Sequence, residues 1–285
     1  MMISQDDPPL HDHERPGATV VHLFADLHVT VGAERREVPE GSKQLLAFVA
    51  LRRRRVERRH AAGALWPSGN EERAAGNLRS ALWRLHRAGI NVLITDKRSL
   101  LLRGHVIVDV HVVDQWATRL IQGTAYEDDL VIPPSIPDAL DLLPGWYDDW
   151  ALLERERIRQ RLLHALEALS ARLTSLGRFG EAVDAALLAV SAEPLRESAQ
   201  RALIEAHIAE GNLAEANRSF VFYRDLVHRE LGVEPSSELS ALLGACRGGS
   251  RREYAWPVTR MGRRDGGAAA GTRLRSGGIP AAARP

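Results

Sequence analysis

Residues 70–87, NEERAAGNLRSALWRLHR, carry two stripes of residues at helical spacing. Apolar residues recur at intervals of four, four and three, which predicts one buried face of a helix. They are Ala74, Leu78, Leu82 and Leu85. A second stripe, turned by about one residue, holds side chains that can reach phosphates and base edges. It consists of Arg73, Asn77, Ser80, Arg84 and Arg87. The segment is therefore a candidate groove-binding helix, although a solvated face on an ordinary core helix would show the same pattern.

Charge is strongly segregated along the chain, although the net charge is only +1. Residues 42–103 hold 14 lysines and arginines against 4 acidic residues, whereas residues 104–246 hold 12 against 23. A basic module followed by an acidic one indicates a polyanion partner for the first and a protein partner, or self-contact, for the second. The basic module favours nucleic acid binding, because phosphate neutralisation dominates that affinity.

Several functional classes lack their sequence signatures. No apolar run is long enough to span a bilayer and the acidic N-terminus is unlike a secretion signal, so we expect a cytoplasmic, nucleoid-associated protein without membrane contact. The single cysteine, Cys246, excludes an internal disulfide framework. Asp109, His111 and Asp114 are close in sequence, but no second cluster supports a metal site. Phosphate-binding loops and nucleophile motifs are absent. We therefore expect a non-enzymatic protein with no cofactor and no metal.

Residues 18–111 predict strands, then helices, then further strands, after a leader at 1–17 that we expect to be disordered. The first β-like runs are Val20–Phe24, Leu27–Val31 and Arg36–Val38. A helix capped by Ser42 follows and ends at the arginines 52–55, whose charge suits a helix C-terminus. A second helix covers Glu57–Leu65, and Asn70 caps the third. The last β-like runs are Ile90–Thr95, Arg98–Arg103 and His105–Val110, with a tight turn at Asp96-Lys97.

Residues 112–246 are predicted to be almost entirely helical. Helix Val112–Gln122 leads to a proline-rich connection at 131–145. The segment LGRFGEAVDAALLAV at 176–190 then aligns with EGNLAEANRSFVFYR at 210–224, which lies 34 residues later. This period is typical of tetratricopeptide helix pairs, with Gly-x-x-x-Glu-Ala at the turn inside each pair. Helix Asp149–Leu173 supplies the first layer, and flanking helices must close the stack. Residues 247–285 are expected to form a disordered basic tail.

Together these segments resemble a known regulator architecture. The strands, KQLLAFVALRRRRV at 43–56 and NLRSALWRLHRAG at 77–89 are similar to the winged helix-turn-helix of the OmpR/PhoB type. PLRE, AEGN and ELGVEPS occur in the order and spacing of the bacterial transcriptional activator domain. The chain thus resembles the SARP/AfsR-like regulators of actinobacteria over residues 20–243. The resemblance implies an α+β winged helix-turn-helix domain at 18–111 followed by an all-α tetratricopeptide-like domain at 112–246.

The resemblance also implies a function. Its members are sequence-specific DNA-binding activators, often of biosynthetic gene clusters, that bind promoter direct repeats and contact RNA polymerase holoenzyme, with self-association on DNA. Residues 70–87 take the place of the recognition helix in the major groove. The base readers are then Asn77, Ser80 and Arg84, with Arg84 suited to a guanine. Contacts with the DNA backbone are expected from Arg73, Arg79, Arg87 and, at the wing turn, Lys97 and Arg98.

One departure from the family leaves an alternative open. The strand after the wing turn usually carries Gly-Tyr-x-Leu, and this chain has Arg-Ser-Leu-Leu-Leu at 98–102. A tetratricopeptide-type adaptor whose N-terminal module does not bind DNA is therefore the second hypothesis. Trp83 is predicted to pack partly against a neighbouring helix rather than to contact sugar-phosphate or a thymine methyl group. The aromatic cluster Trp146, Tyr147 and Trp150 is predicted to pack between the domains rather than to bind a partner.

Overall fold

The computed structural model describes residues 18–249, with side chains described up to residue 244. The predicted leader at 1–17, residues 250–285 of the predicted tail and the Cys246 side chain lie outside this description. The strands are β1 Thr19–His22, β2 His28–Val31, β3 Glu34–Glu37, β4 Val56–Glu57, β5 Leu93–Thr95, β6 Ser99–Leu102 and β7 Val106–Val108. The helices are α1 Glu40–Ala50, α2 Arg58–Leu65, α3 Glu71–Arg87, α4 Asp109–Gln122, α5 Ile136–Leu140, α6 Asp149–Ser175, α7 Phe179–Ala192, α8 Glu197–Glu210, α9 Leu213–Leu231 and α10 Ser237–Gly249.

Two small sheets flank the first three helices. The N-terminal sheet has the order β3-β2-β1-β7, and the second sheet has the order β4-β6-β5. β7 follows the hairpin of β5 and β6 in the chain but belongs to the other sheet. It pairs in parallel with β1, where Thr19 lies opposite Val106. This pairing satisfies backbone groups along an otherwise open edge of β1.

Helix α1 begins three residues earlier than predicted, and the prediction of Ser42 as its cap was wrong. The helix starts at Glu40, directly after Pro39, and Ser42 lies inside its first turn. The Ser42 hydroxyl is fully buried and donates a 2.8 Å hydrogen bond to the carbonyl of Ala81 in α3. This side chain therefore joins two helices instead of capping one.

Helix α4 connects the N-terminal sheet to the helical half of the chain. It begins at Asp109, three residues before the predicted start, and packs against β1, β7 and α6. The Asp109 carboxylate accepts hydrogen bonds from the amides of Leu23 and Phe24, at 2.7 and 3.1 Å. Trp116 is fully buried in α4 and donates a 2.9 Å hydrogen bond to the carbonyl of Asp129. These contacts fix α4 to both neighbours.

The proline-rich segment at 131–145 connects the two halves but is not a loose linker. It contains α5, and the side chains of Ile136 and Leu142 are fully buried. Arg155 of α6 donates a 2.6 Å hydrogen bond to the carbonyl of Leu142. One continuous cluster of buried residues runs from the N-terminal sheet through this segment into the helical half. The segment is thus part of the core.

The helical half is the predicted stack of antiparallel helix pairs. Gly177 and Gly211 lie at the turns within the pairs α6/α7 and α8/α9, with φ of +76° and +88°, where glycine is favoured over other residues. Ala182 and Ala216, each five residues after the turn glycine, are both fully buried, as is usual for small residues where two helices cross. Helix α10 covers the far end of the stack and extends to Gly249, past the predicted start of the tail at 247.

His111 in α4 gives the fold a predicted pH dependence. Burial, and next the charge of Arg53, lower the pKa of His111 to about 4. His111 takes up a proton near pH 6.5 in the unfolded chain but only near pH 4 in the folded chain. Its protonation therefore lowers the free energy of unfolding as the pH falls from 6.5 to 4. Burial raises the pKa of Asp109 to about 6, which acts in the opposite direction. The test is therefore the difference between wild type and His111→Gln in urea unfolding at pH 7 and pH 4.5. Wild type should lose more stability than the variant, and equal losses would contradict the assignment.

Candidate nucleic-acid interface

Helix α3 forms as its sequence predicts. The Asn70 side chain caps it by accepting a 2.9 Å hydrogen bond from the amide of Arg73, and Glu71 and Glu72 occupy the first turn, where negative charge is favoured. The chain leaves the helix at Gly89, with φ of +71°. The buried face consists of Ala74, Leu78, Ala81 and Leu85. Leu82, predicted to be buried, is only half-buried because it lies at the edge of this face.

The predicted polar stripe is divided between two faces of α3. At about 100° per residue, Asn77 and Arg84 lie on the flank, about 70–90° from the centre of the buried face. Ser80 and Arg87 lie about 130–150° from that centre, and both are exposed. Asn77 is half-buried beside the turn between α2 and α3, together with exposed Arg73. The stripe is therefore not one flat surface.

Arg84, the predicted guanine reader, lies against the beginning of α1. Its Nη1 is 3.5 Å from the carbonyl oxygen of Gly41. A Cβ atom at Gly41 would come within 2.6 Å of the same Nη1, so the glycine leaves room for the guanidinium. Arg84 remains exposed to solvent. It would have to swing away from Gly41 to reach a base in front of the helix.

The face directly opposite the core carries two residues that lie outside the predicted polar stripe. Gly76 and Trp83 lie about 170° from the centre of the buried face. The predicted packing of Trp83 against a neighbouring helix was wrong, because 57% of its surface is exposed. Its ring is 5.1 Å from the Arg87 guanidinium. The angle from the buried face, rather than the spacing of polar residues, is the sequence signal that identifies this outward face.

The wing hairpin forms without the Gly-Tyr-x-Leu signature. The Asp96 carboxylate accepts hydrogen bonds from the amides of Arg98 and Ser99, both at 2.7 Å, and from the Ser99 hydroxyl at 2.7 Å. These bonds, the Ser99 hydroxyl first, lower the pKa of Asp96 to about 2. The turn thus places Lys97 and Arg98 in solvent. Neither side chain makes a hydrogen bond or an ion pair with the residues that the structure describes.

A basic cleft of about 1,440 Å³ separates α2 and α3 from the wing. Its cationic lining comprises Arg55, Arg58, Arg59, Arg79, Lys97 and Arg98. Two of these arginines are paired, Arg55 with Asp96 at 2.7 Å and Arg59 with Glu71 at 2.8 Å. Arg79 is exposed on the side of α3 that faces the wing. The sequence interpretation missed the contribution of α2, because the cleft is created by tertiary packing.

The other clusters named from the sequence serve packing. Asp114 pairs with Arg53 at 3.1 Å and with Arg161 at 2.6 Å. Within residues 18–244, no group of three or more His, Cys, Asp or Glu side chains is placed to hold a metal ion. Trp150 packs edge-on against Phe48 of α1 and against Trp146, with ring centroids 5.2 and 5.9 Å apart, which confirms the predicted aromatic packing for the two tryptophans. The prediction was wrong for Tyr147, because 80% of its surface is exposed.

Two comparisons with known proteins agree with this architecture. Residues 137–247 match the family model of the bacterial transcriptional activator domain. The match covers 111 of the 285 residues, all of them in the helical half. Mycobacterium tuberculosis EmbR, solved in complex with a low affinity phosphopeptide, has a similar fold, with a TM-score of 0.63 and 17% identity over 81% of this chain. The chain spans 65% of the length of that EmbR chain. A search of curated proteins gives no significant match.

The domain match confirms the resemblance of the helical half to the bacterial transcriptional activator domain, and the similar fold of EmbR confirms the fold class predicted from the sequence. The matched residues begin inside α5, include α6 to α9 and end two residues before the end of α10. Helix α4 precedes the matched residues. The predicted domain boundary at 111/112 falls inside this helix, which packs against both halves of the chain, and the boundary stays a prediction. Between residues 18 and 249, no helix is long and apolar enough to cross a membrane.

Proposed function

We propose that this protein is a SARP-like regulator that binds specific DNA sequences and activates a biosynthetic gene cluster. In this proposal the winged helix reads promoter direct repeats, the activator domain contacts RNA polymerase holoenzyme, and copies of the chain associate on adjacent repeats. The observation that carries the proposal is the exposed outward face of α3, with the unpaired wing cations Lys97 and Arg98 across a basic cleft from it. An α-helix fits the major groove, and neighbouring cations neutralise the phosphates that border it.

The roles of individual side chains follow from their positions on α3 and the wing. Ser80 faces outward, and Asn77 and Arg84 lie on the flank, so these three remain the proposed base readers. Backbone contacts are assigned to Arg73, Arg79, Arg87, Lys97 and Arg98, which are all exposed. Binding of this kind needs no cofactor, no metal ion and no catalytic group. The protein would act on the nucleoid in the cytoplasm.

The adaptor hypothesis rested on the unusual wing sequence. The wing turn forms through Asp96, and β6 pairs with both β5 and β4, so a missing wing is no longer a reason to prefer an adaptor. The surplus of cations in residues 42–103 would also have no use in a module that binds only proteins. DNA binding is therefore the better-supported function.

Footprinting on the gene's own neighbourhood tests the proposal. Purified full-length protein should shift and protect one or more upstream regions, with repeated half-sites inside the protected segment. The affinity should fall steeply with salt, because phosphate contacts release counterions. A protein that binds these regions no better than unrelated DNA, at every salt concentration, would favour the adaptor.

Two arginine variants separate base reading from backbone contact. Arg84→Ala should lose about 1–3 kcal/mol on the cognate site and relax the preference at one base pair. Arg73→Ala should weaken all DNA about equally and flatten the salt dependence by about one ion. Competition titrations with cognate and scrambled duplexes measure both effects. Equal proportional losses on the two duplexes in both variants would contradict this division of roles.

A further inference from the structure

The packing of the protein gives no reason for a glycine at position 76. Gly76 lies in the second turn of α3, where glycine destabilises a helix relative to alanine. A Cβ atom built at this position would meet only Arg79 Nη2, at 3.7 Å, which is an ordinary van der Waals contact. Its φ is not in the left-handed region either. The fold therefore leaves open space outside Gly76, and a molecule that approaches α3 closely can occupy it.

Trp83 lies on the same outward line as Gly76. It is seven residues, or about two helical turns, further along α3. More than half of its surface is exposed, whereas the other large apolar residues of this helix pack toward the core. Exposed cations and a hydroxyl surround it, at Arg79, Arg87 and Ser80. Trp83 is therefore an apolar island in a polar, cationic surface.

We propose that α3 meets DNA along the line through Gly76 and Trp83, with Gly76 admitting the DNA surface closely and Trp83 contacting a thymine methyl group. The inference rests on the proposed function and adds a specificity-determining contact to it. The major groove offers an apolar partner at the C5 methyl group of thymine, and an aromatic side chain on a helix can reach it. The flanking cations Arg79 and Arg87 then lie where phosphates border the groove.

The first test uses the opposite effects of one methyl group on folding and on binding. Gly76→Ala should raise the melting temperature by about 2–4 °C, because alanine favours helix and fits the free protein. The same variant should bind the footprinted duplex about tenfold more weakly, because its Cβ occupies the space proposed for DNA. Gly180→Ala is the matched control: Gly180 is an exposed helical glycine of α7 with open space around its Cβ position. It should leave DNA affinity unchanged.

The second test removes the proposed partner of Trp83. Each thymine of the footprinted duplex is replaced in turn by uracil, and binding is measured by fluorescence anisotropy. At one or two thymine positions, uracil should lower the DNA affinity of wild type about three- to fourfold, which is the effect of one methyl group. Uracil at the same positions should not lower the affinity of Trp83→Ala. Because Trp83 is exposed, the variant should remain folded, as its circular dichroism would verify.

The outcomes distinguish this inference from the proposed function. Suppose that wild type binds its footprinted site. Unchanged DNA affinity of Gly76→Ala would then overturn this inference but not the proposed function. Equal losses of affinity on uracil duplexes in wild type and Trp83→Ala would do the same. Wild type that shows no site-specific binding would overturn both. Loss of activation in Trp83→Ala with full DNA affinity would assign Trp83 to a protein partner and would also overturn the inference.

Discussion

Replacing Arg79, Lys97 and Arg98 together with alanine should reduce affinity for DNA of any sequence about a hundredfold at about 0.15 M salt, or about 1 kcal/mol per lost phosphate contact. All three side chains line the basic cleft between α3 and the wing and are exposed. Each phosphate contact contributes about 0.9 to the slope of log affinity against log salt, so the slope should flatten by about three. Anisotropy titrations across a salt series measure both quantities.

The control separates position from total charge. Arg218, Arg224 and Arg229 of α9 are also exposed, and their removal changes the net charge by the same amount. They belong to the helical half, outside the winged helix. This second triple variant should keep wild-type affinity and slope to within about one ion. If both triple variants weaken binding equally, the cleft has no special role and only overall charge attracts DNA.

Trp116→Ala should lower the free energy of unfolding by about 3–5 kcal/mol, the range for a large aromatic side chain removed from a core. Trp116 is fully buried in α4, and its indole N–H satisfies the buried carbonyl of Asp129. The variant therefore leaves both a cavity and an unpaired acceptor. Since one cluster of buried residues spans both halves of the chain, we expect a single unfolding transition that shifts as a whole.

Trp83→Ala is the matched control for this prediction. The same residue type is removed, but from an exposed position on the outward face of α3. Surface substitutions of this kind change stability by about 0.5 kcal/mol or less. Urea unfolding followed by circular dichroism compares the two variants. Similar losses in both, or separate transitions of the two halves in Trp116→Ala, would contradict the shared core.

Local features of this fold were predictable from the sequence, because local rules produce them. The cap at Asn70, the apolar period of α3 and the glycine turns at Gly177 and Gly211 all depend on residues within about one or two helical turns. The 34-residue repeat extended the same reasoning to the helix pairs of the activator domain. These predictions needed no knowledge of long-range contacts.

Features that depend on distant partners were not predictable. Ser42 has the composition of a cap, but its hydroxyl bonds to Ala81, which is 39 residues away. β7 has the propensity of any short strand, and only the fold decides that it pairs with β1 at the other end of the domain. In the candidate interface, the contact of Arg84 with the Gly41 carbonyl and the exposure of Trp83 both depend on how α3 packs against the neighbouring helices.

If the outward face of α3 lies in the major groove, a cleavage reagent attached to this face should cut the DNA inside the bound site. Ser80 is exposed on this face, and Cys246 is the only cysteine of the chain. In a Cys246→Ser background, Ser80→Cys can carry a chelated iron that cuts nearby DNA. Ser191→Cys, on the exposed surface of α7, is the control.

With iron at position 80, we predict strong cuts at a few nucleotides inside each protected half-site, placed on the two strands as expected for a reagent in the major groove. Iron at position 191 should give no cuts there. A derivative at position 80 that still binds its site but cuts nothing within it, or cuts no better than the derivative at position 191, would contradict the placement of α3 on DNA.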